Sequence, residues 1–524
     1  MDLTTGWTGR TASALQSALR MSNESFAEHL GIGVRTVAAW HQKPDLRPKP
    51  EMQQLLDTAL AQAPDAARER FARLVGEQND ADAEQSAENS SAELRLAADP
   101  GIATALEWLD QHAQQEPGTA RRDVASRIAR LDVRALHDRS QRRARVDQRS
   151  VADALHGYYR SAPGHGWYTA RYGSQTETAT SILTRDDWLD LRCPLVPRHD
   201  RLAIARTGVS TAVSLDEHAA DRALQRLAET LVTDTRLVDM PLFRLVDVDV
   251  SRGSIGGSVD VTSFVGYALT MDLLEGELID ALATGMPAER GVLPLRDRYL
   301  PDAATIVDLS GRLCAGGTLA LCAFARPADP HRGDADYVLL VQERSGNVVN
   351  AARRLAVLPK GFHQPMADVR ADAQIGATLR REMEEELFGR EDVDNTVTDQ
   401  RRADPMHPSR LSEPMRWLMA DPDRWRMECT GFGLNAVSGN FEFASLIVIE
   451  DEEFWSRYGG DIKANWEANT LRQFSSLDGE DLADLVHDVA WSNEGLFALL
   501  QGLRRLREMG GQRVNLPAIE WTVR

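Results

Sequence analysis

Between Gly76 and Leu94 the chain reads GEQNDADAEQSAENSSAEL, with six acids, no base, few large apolar residues and no apolar periodicity. Such a stretch buries too little surface to offset the entropy of ordering it. It is therefore expected to be a disordered linker that divides the chain. A length of 524 residues suggests roughly three domains. The boundaries implied are a helical domain over 1–74, an acidic flexible linker over 75–100, a central α+β region over 101–310 and a last domain over 311–524. A net charge of −19, from 60 basic and 79 acidic residues, argues against a chain that coats nucleic acid along its length or lies on an anionic membrane. A local basic module remains compatible with that charge. Cys193, Cys314, Cys322 and Cys429 have no CxxC spacing, so neither a disulfide framework nor a cysteine zinc site is suggested. The start, MDLTTGWTGR, lacks an apolar core of signal-peptide length, and no run of about 18 apolar residues occurs. A cytoplasmic protein without a membrane partner is the expectation.

The first domain is patterned for short helices: TASALQSALRMS, NESFAEHLG and VRTVAAWHQ, followed by EMQQLLDTALAQ and DAARERFARLVG. In MSNESFAEHLGIGVRTVAAW, Ser22 can cap a helix whose inner face is Phe26, Ala27 and Leu30, and Gly31 permits a tight turn. The next helix has Val37 and Trp40 as anchors, leaving Arg35, Thr36 and Ala39 facing outward near its start. Over roughly Ala12 to Trp40 this order resembles the helix-turn-helix of the phage-repressor (Cro-like) family. The resemblance implies that Arg35, Thr36 and Ala39 meet base edges and phosphate at the start of a recognition helix. It also implies that Ser22 and Asn23 contact the backbone of double-stranded operator DNA, and that a homodimer reads two half-sites. Residues 1–50 carry six basic and four acidic side chains, a net of +2, so affinity would depend on dimerisation. The simpler alternative is a helical bundle for protein contact. A second basic feature, ten arginines against four aspartates between Arg121 and Ser150, reads as an exposed helical face with local ion pairs, with added phosphate contacts as the alternative.

The central region mixes helical patterns with LFRLVDVDVSRG, where Val246, Val248 and Val250 alternate with Asp247 and Asp249 as in a strand with one wet face. The last third has strand runs in GGTLALCAFARP, DYVLLVQERS, RRLAVLP and FEFASLIVIED. In SNEGLFALLQGLRRLREMG, Ser492 is a candidate cap and Leu496, Leu499, Leu500, Leu503 and Leu506 make one packing face. GFGLNAVSGN, Gly431 to Asn440, has no helix after it and reads as a hairpin rather than a phosphate cradle.

The densest chemistry is LRREMEEELFG, Leu379 to Gly389. Ile375, Leu379, Met383 and Leu387 form an apolar stripe, beside which Glu382, Glu385 and Glu386 fall within about 100° of one another while Glu384 points away. Converging carboxylates repel unless a cation neutralises them, and hard oxygens suit Mg²⁺ or Mn²⁺ bridging to a phosphate. After a strand and the turn Leu358, Pro359, Lys360 and Gly361, this helix resembles the Nudix family. The family's box reads G, five of any, E, seven of any, REUxEExGU, after a strand ending in LPGG. Arg381, Glu382, Met383, Glu385 and Glu386 match REUxEE. The resemblance implies an α/β/α sandwich with a mixed sheet over 311–524, metal held by Glu382, Glu385 and Glu386, and ligand contacts from Lys360, Gly361 and Arg381. Gly361 and Arg381 are 20 positions apart where the box has 14, the loop between them supplies no glutamate, and Phe388 stands where the box has glycine. No catalytic residue is assigned, and a retained fold used as a sensor is favoured over hydrolysis.

The combined expectation is a multidomain α+β transcription regulator. It binds DNA through an all-α helix-turn-helix, and its Nudix-like domain senses a nucleotide-derived or phosphorylated small molecule. The alternatives are a Mg-dependent Nudix hydrolase of a nucleoside diphosphate derivative, localised by the helix-turn-helix, and a protein-binding scaffold.

Overall fold

A computed structural model describes residues 6–98, 101–159, 162–205, 214–233, 235, 237–344, 354–389, 406–459, 462 and 468–524, with only the backbone considered for 77–91, 98, 468 and 469. The chain is mixed α and β and divides into two compact units, Met1–Arg95 and Leu96–Arg524. In the first, Thr8 and Thr11 form a reciprocal capping box that starts α1 (Gly9–Leu19). Ser22 caps α2 (Asn23–Leu30), which ends at Gly31 with φ +67°, a conformation that glycine adopts without strain. Then follow α3 (Val34–Gln42) and α4 (Pro50–Gln62), whose first residue is a proline that has no N–H to leave unpaired. Leu15, Phe26, Leu30, Val37, Trp40, Leu56 and Phe71 share one core, and the Trp7 indole donates to Asp57 at 2.7 Å.

The acidic stretch departs from expectation. Rather than an unstructured linker over 75–100, the backbone is one helix, α5 (Asp65–Ala98), and the division between units falls at 95/96. Its alanines, glutamates and glutamines are strong helix formers, so local propensity prevails although no apolar face is present.

In the second unit the helices of eight residues or more are α6 (Ile102–His112), α7 (Thr119–Ile128), α8 (Val133–Ala144), α9 (Gln148–Tyr158), α10 (Glu217–Val232), α11 (Leu273–Ala283), α12 (Ile375–Glu382), α13 (Gly479–His487) and α14 (Asn493–Met509). The strands are β1 (Gly166–Tyr172), β2 (Thr178–Thr184), β3 (Leu189–Pro194), β4 (Ala203–Ile204), β5 (Pro241–Ser251), β6 (Ser254–Ser263), β7 (Gly316–Arg326), β8 (Asp336–Arg344), β9 (Leu355–Val357), β10 (Lys360–Phe362), β11 (Trp425–Asn435), β12 (Asn440–Ile449), β13 (Ala468–Ser475) and β14 (Ile519–Val523). One large sheet runs β13-β8-β7-β12-β11-β2-β1-β14, with β9 on β8, β10 on β7 and β3 on β11. The β7–β12 pair is parallel and the other neighbours along this path are antiparallel.

The expected boundary at 310/311 does not divide the structure. Strands β1, β2 and β3, from the central region, extend the sheet of the last third, and β14 closes on β1. Strand β2 is buried almost throughout, so the alternation that betrays β5 is absent from it. Strand β5 itself is as read: Asp247 and Asp249 are exposed, Val250 is buried, and β4, β6 and β5 form a separate small sheet.

Ser492 caps α14, and its five leucines lie in one core with Leu319, Leu321 and Ala323 of β7 and Ala444, Leu446 and Val448 of β12. Since successive strand residues face opposite ways, Cys322 and Phe324 of β7 look to the other face, where α12 packs on β10 and β7. The first turn of α12 has no cap from its own Gln374; the buried Asp200, which follows β3, accepts from Gly376 N at 2.9 Å instead. Among the described residues no helix is long and apolar enough to cross a membrane.

GFGLNAVSGN is the β11–β12 hairpin, and its tip lies inside the protein. Arg296, fully buried, donates to the carbonyls of Ala436 at 2.6 Å and Val437 at 2.5 Å, and Arg312 donates to that of Gly439 at 2.6 Å. Buried carbonyls without donors are costly. Arg296→Met is expected to destabilise the protein by about 2–4 kcal/mol, seen as a lower urea midpoint, whereas exposed Arg298→Met should leave the midpoint nearly unchanged.

Candidate functional site

In the first unit, Val37 and Trp40 are buried on the inner side of α3, while Arg35 is exposed and Thr36 and Ala39 are half-buried. Ser22 is exposed, and its hydroxyl accepts from Ser25 N at 3.1 Å. Asn23 is half-buried, and its side-chain oxygen accepts from Gln16 Nε2 at 2.9 Å. Gln16 Oε1 in turn lies 2.8 Å from His41 Nε2, so one α1 side chain ties the starts of α2 and the end of α3 together. Gln16 and His41 are 25 positions apart, a link with no local signal in the sequence.

In the second unit β10 brings Gly361, but not the Lys360 side chain, beside the α12 residues Arg381 and Glu382. Lys360 pairs with Leu319 and Gly361 with Thr318 in the β10–β7 ladder, so the two side-chain positions face opposite sides of the sheet. On the α12 side, a Cβ placed on Gly361 would stand 2.1 Å from the Glu382 carboxylate, so only glycine lets that glutamate rest on the strand. Arg381, 3% exposed, donates from Nη2 to Glu382 at 2.6 Å and to the Phe362 carbonyl at 3.3 Å, and its Nε is 3.9 Å from Glu385. Burial works against its charge, but Glu382 and Glu385 more than offset this and hold the guanidinium above its ordinary pKa.

Glu386 accepts from Lys360 N at 2.6 Å and from Gln342 Nε2 at 3.2 Å. Glu384, expected to point away, is fully buried and accepts from Ser412 N at 2.9 Å. Met383–Leu387 winds as a π turn rather than continuing the α-helix on which that expectation rests. The stripe of Ile375, Leu379, Met383 and Leu387 is fully buried, as its spacing implies.

On the α14 side, Lys360 Nζ pairs with Glu494 Oε1 at 2.7 Å, with 11% and 8% of the two side chains exposed. Lys360, expected at the ligand, is thus committed to an ion pair inside the fold. Glu494 Oε2 accepts from Asn435 Nδ2 at 3.1 Å, and Asn435 Oδ1 accepts from Ser181 Oγ at 2.9 Å. Burial pushes the Glu494 carboxyl up, but Lys360 wins and holds it below the usual range. Neighbouring Glu442 is pushed well above that range, first by burial and then by the charge of Glu494. Nothing local in the sequence marks Glu442, Glu494 and Asn435, which meet only through the sheet.

The Nudix resemblance implies Mg²⁺ or Mn²⁺ on Glu382, Glu385 and Glu386. Both Glu386 oxygens accept from N–H donors, and Glu382 is held by Arg381, so these carboxylates do not present one ligand set. Among the described residues no three His, Cys, Asp or Glu are grouped to hold a metal ion. What the arrangement offers is a buried cation, Arg381, flanked by glutamates beside a half-buried glycine. No model of a known protein family and no curated protein sequence matches this chain.

Gly361→Ala is expected to displace Glu382 and lower the thermal midpoint, by about 1–3 kcal/mol of stability, and Glu382→Ala in the same chain should recover part of that loss. A second prediction concerns His363, fully buried, whose Nε2 donates to the Ala373 carbonyl at 3.0 Å while Nδ1 accepts from Thr378 at 2.8 Å. Burial pushes its pKa down to about 3. The unfolded chain takes up this proton near 6.5 and the folded one only near 3, so the stabilisation is present above about 6.5 and lost as pH falls toward 3, by about 1.4 kcal/mol per unit. Urea midpoints of His363→Gln should lack this component of the slope between pH 6.5 and 4.

Proposed function

We propose that this chain is a DNA-binding transcription regulator whose second unit senses a nucleotide-derived or other phosphorylated ligand. The observation that carries the DNA reading is the division of α3, with Val37 and Trp40 buried and Arg35 exposed beside Thr36 and Ala39. That is the side-chain distribution a recognition helix needs, since its start must be free to enter the major groove. A homodimer would supply the second half-site, and the cytoplasm the operator. Arg35→Ala should weaken binding to the protein's own promoter duplex about tenfold or more in a mobility-shift titration, as loss of a bidentate base contact does. Unchanged affinity would show that α3 is not the reading helix.

For the second unit, Arg381 is the group suited to a phosphate, which would take the place of the Glu382 carboxylate beside Gly361. Sensing is favoured over hydrolysis because Glu386 is already taken by Lys360 N and Gln342. Mg²⁺ or Mn²⁺ belongs to this reading as a companion of the ligand's phosphate, with Glu385 as a donor and Glu382 as a second one once the phosphate has taken Arg381 from it. The second reading, a Nudix-like hydrolase, is favoured by one contact: the Arg381–Glu382 pair at 2.6 Å holds a glutamate as that family's arginine does. Incubation with Mg²⁺ and a panel of nucleoside diphosphate compounds separates the two. The sensor reading expects a thermal shift without turnover; turnover that Glu385→Gln abolishes would establish the hydrolase.

A further inference from the structure

Eight of the ten arginines between Arg121 and Ser150 fall into two sets. Arg127 pairs with Asp221 at 2.6 Å, Arg139 with Glu229, and Arg143 with Asp280 at 2.5 Å, all with acids of α10 and α11 rather than the aspartates interspersed in the run. Arg130, Arg134, Arg142, Arg145 and Arg149 are exposed and have no ion pair among the described residues. Around α8, Arg134 lies away from Arg139 and Arg143, Arg142 lies between the two sides, and Arg145, the C-cap just past the helix end, returns to the side of Arg134. Helix α8 buries none of its residues, so its outward face takes no part in packing.

Two of the nearby acids are already engaged. Asp132 and Asp147 cap α8 and α9, accepting from Arg134 N at 2.8 Å and Ser150 N at 2.6 Å, where the helix N-termini offset their charge. Asp138 is the remaining exposed acid on the outward face of α8. A chain of net charge −19 thus concentrates five unpaired guanidinium groups on one helix and its two flanks. Val133, 62% exposed, is the exposed large apolar residue of α8, too little apolar surface to enter a lipid interface.

We propose that Arg134, Arg142 and Arg145, all exposed along α8 and its C-terminal end, form a second DNA-contacting surface that binds the phosphate backbone of a duplex without reading its sequence. This rests on the regulator reading, and it accounts for how a helix-turn-helix segment of net charge +2 reaches useful affinity. Guanidinium groups that displace condensed counterions add affinity and salt dependence but no base preference.

The test titrates the full chain with its own promoter duplex and a scrambled duplex of equal length, from about 50 to 200 mM salt. Replacing Arg134, Arg142 and Arg145 together with alanine is expected to weaken both duplexes by the same factor, about tenfold or more, and to lower the slope of log affinity against log salt by about 2 to 3. The corresponding triple lysine variant should keep both affinity and slope, and thermal melting of both variants should match the parent. Equal affinity and slope for the alanine variant would overturn the proposal. So would tighter binding of the parent to phosphatidylserine vesicles than to either duplex, or no binding of the parent to any duplex. If the parent binds both duplexes equally and Arg35→Ala has no effect, the recognition helix reading fails while the salt slope still decides this one.

Discussion

Strand β10 is three residues long, and the second unit is organised around what its first two residues do. Lys360 and Gly361 follow one another, so the pleat sends them to opposite faces of the large sheet. Lys360 reaches α14 through a buried ion pair with Glu494, and Gly361 receives the Glu382 carboxylate from α12. Burying an ammonium and a carboxylate is unfavourable unless each is paired and the remaining lone pairs are satisfied. Asn435, from the hairpin strand β11, donates to Glu494 and meets that condition. The helix that carries Arg381 and the helix that covers the other face are therefore held to the same short strand. Glu386 adds a third tie by accepting from Lys360 N.

That arrangement explains which features were readable in the amino-acid order. Ser22, Gly31 and Ser492 act on neighbours a few residues away, and the leucines of α14 and the stripe of α12 repeat at helical spacing, so these elements follow from local chemistry. The contacts that make the site do not. Lys360 and Glu494 are 134 residues apart, and no pattern near either one announces the other. Strands β1 and β2 are buried enough to lose the alternation that marks a strand, which hid their membership of the same sheet as β11. The acidic stretch within α5 shows the opposite failure: helix propensity acted where the absence of an apolar face suggested no structure.

The glutamates changed meaning most. On an ideal wheel three of them converge and Glu384 points away. With the π turn at Met383–Leu387, Glu384 is buried against Ser412 N and Glu386 is bound at the strand. The remaining charge beside the glycine turn is centred on Arg381, whose guanidinium is held by Glu382 and Glu385. A ligand phosphate would compete with those carboxylates for the arginine. Under the proposed sensor reading, such competition would let binding alter the packing of α12, since a ligand shifts an equilibrium only by its different affinity for two states.

Under the proposed function, occupation of the second unit would change how the first binds DNA. It is tested by measuring the affinity of the full chain for its promoter duplex with and without a saturating nucleoside diphosphate compound already shown to bind by thermal shift. The account predicts a change of about 5- to 150-fold, matched by an equal change in the compound's affinity when duplex is present. Promoter affinity that is the same with and without the bound compound would contradict it.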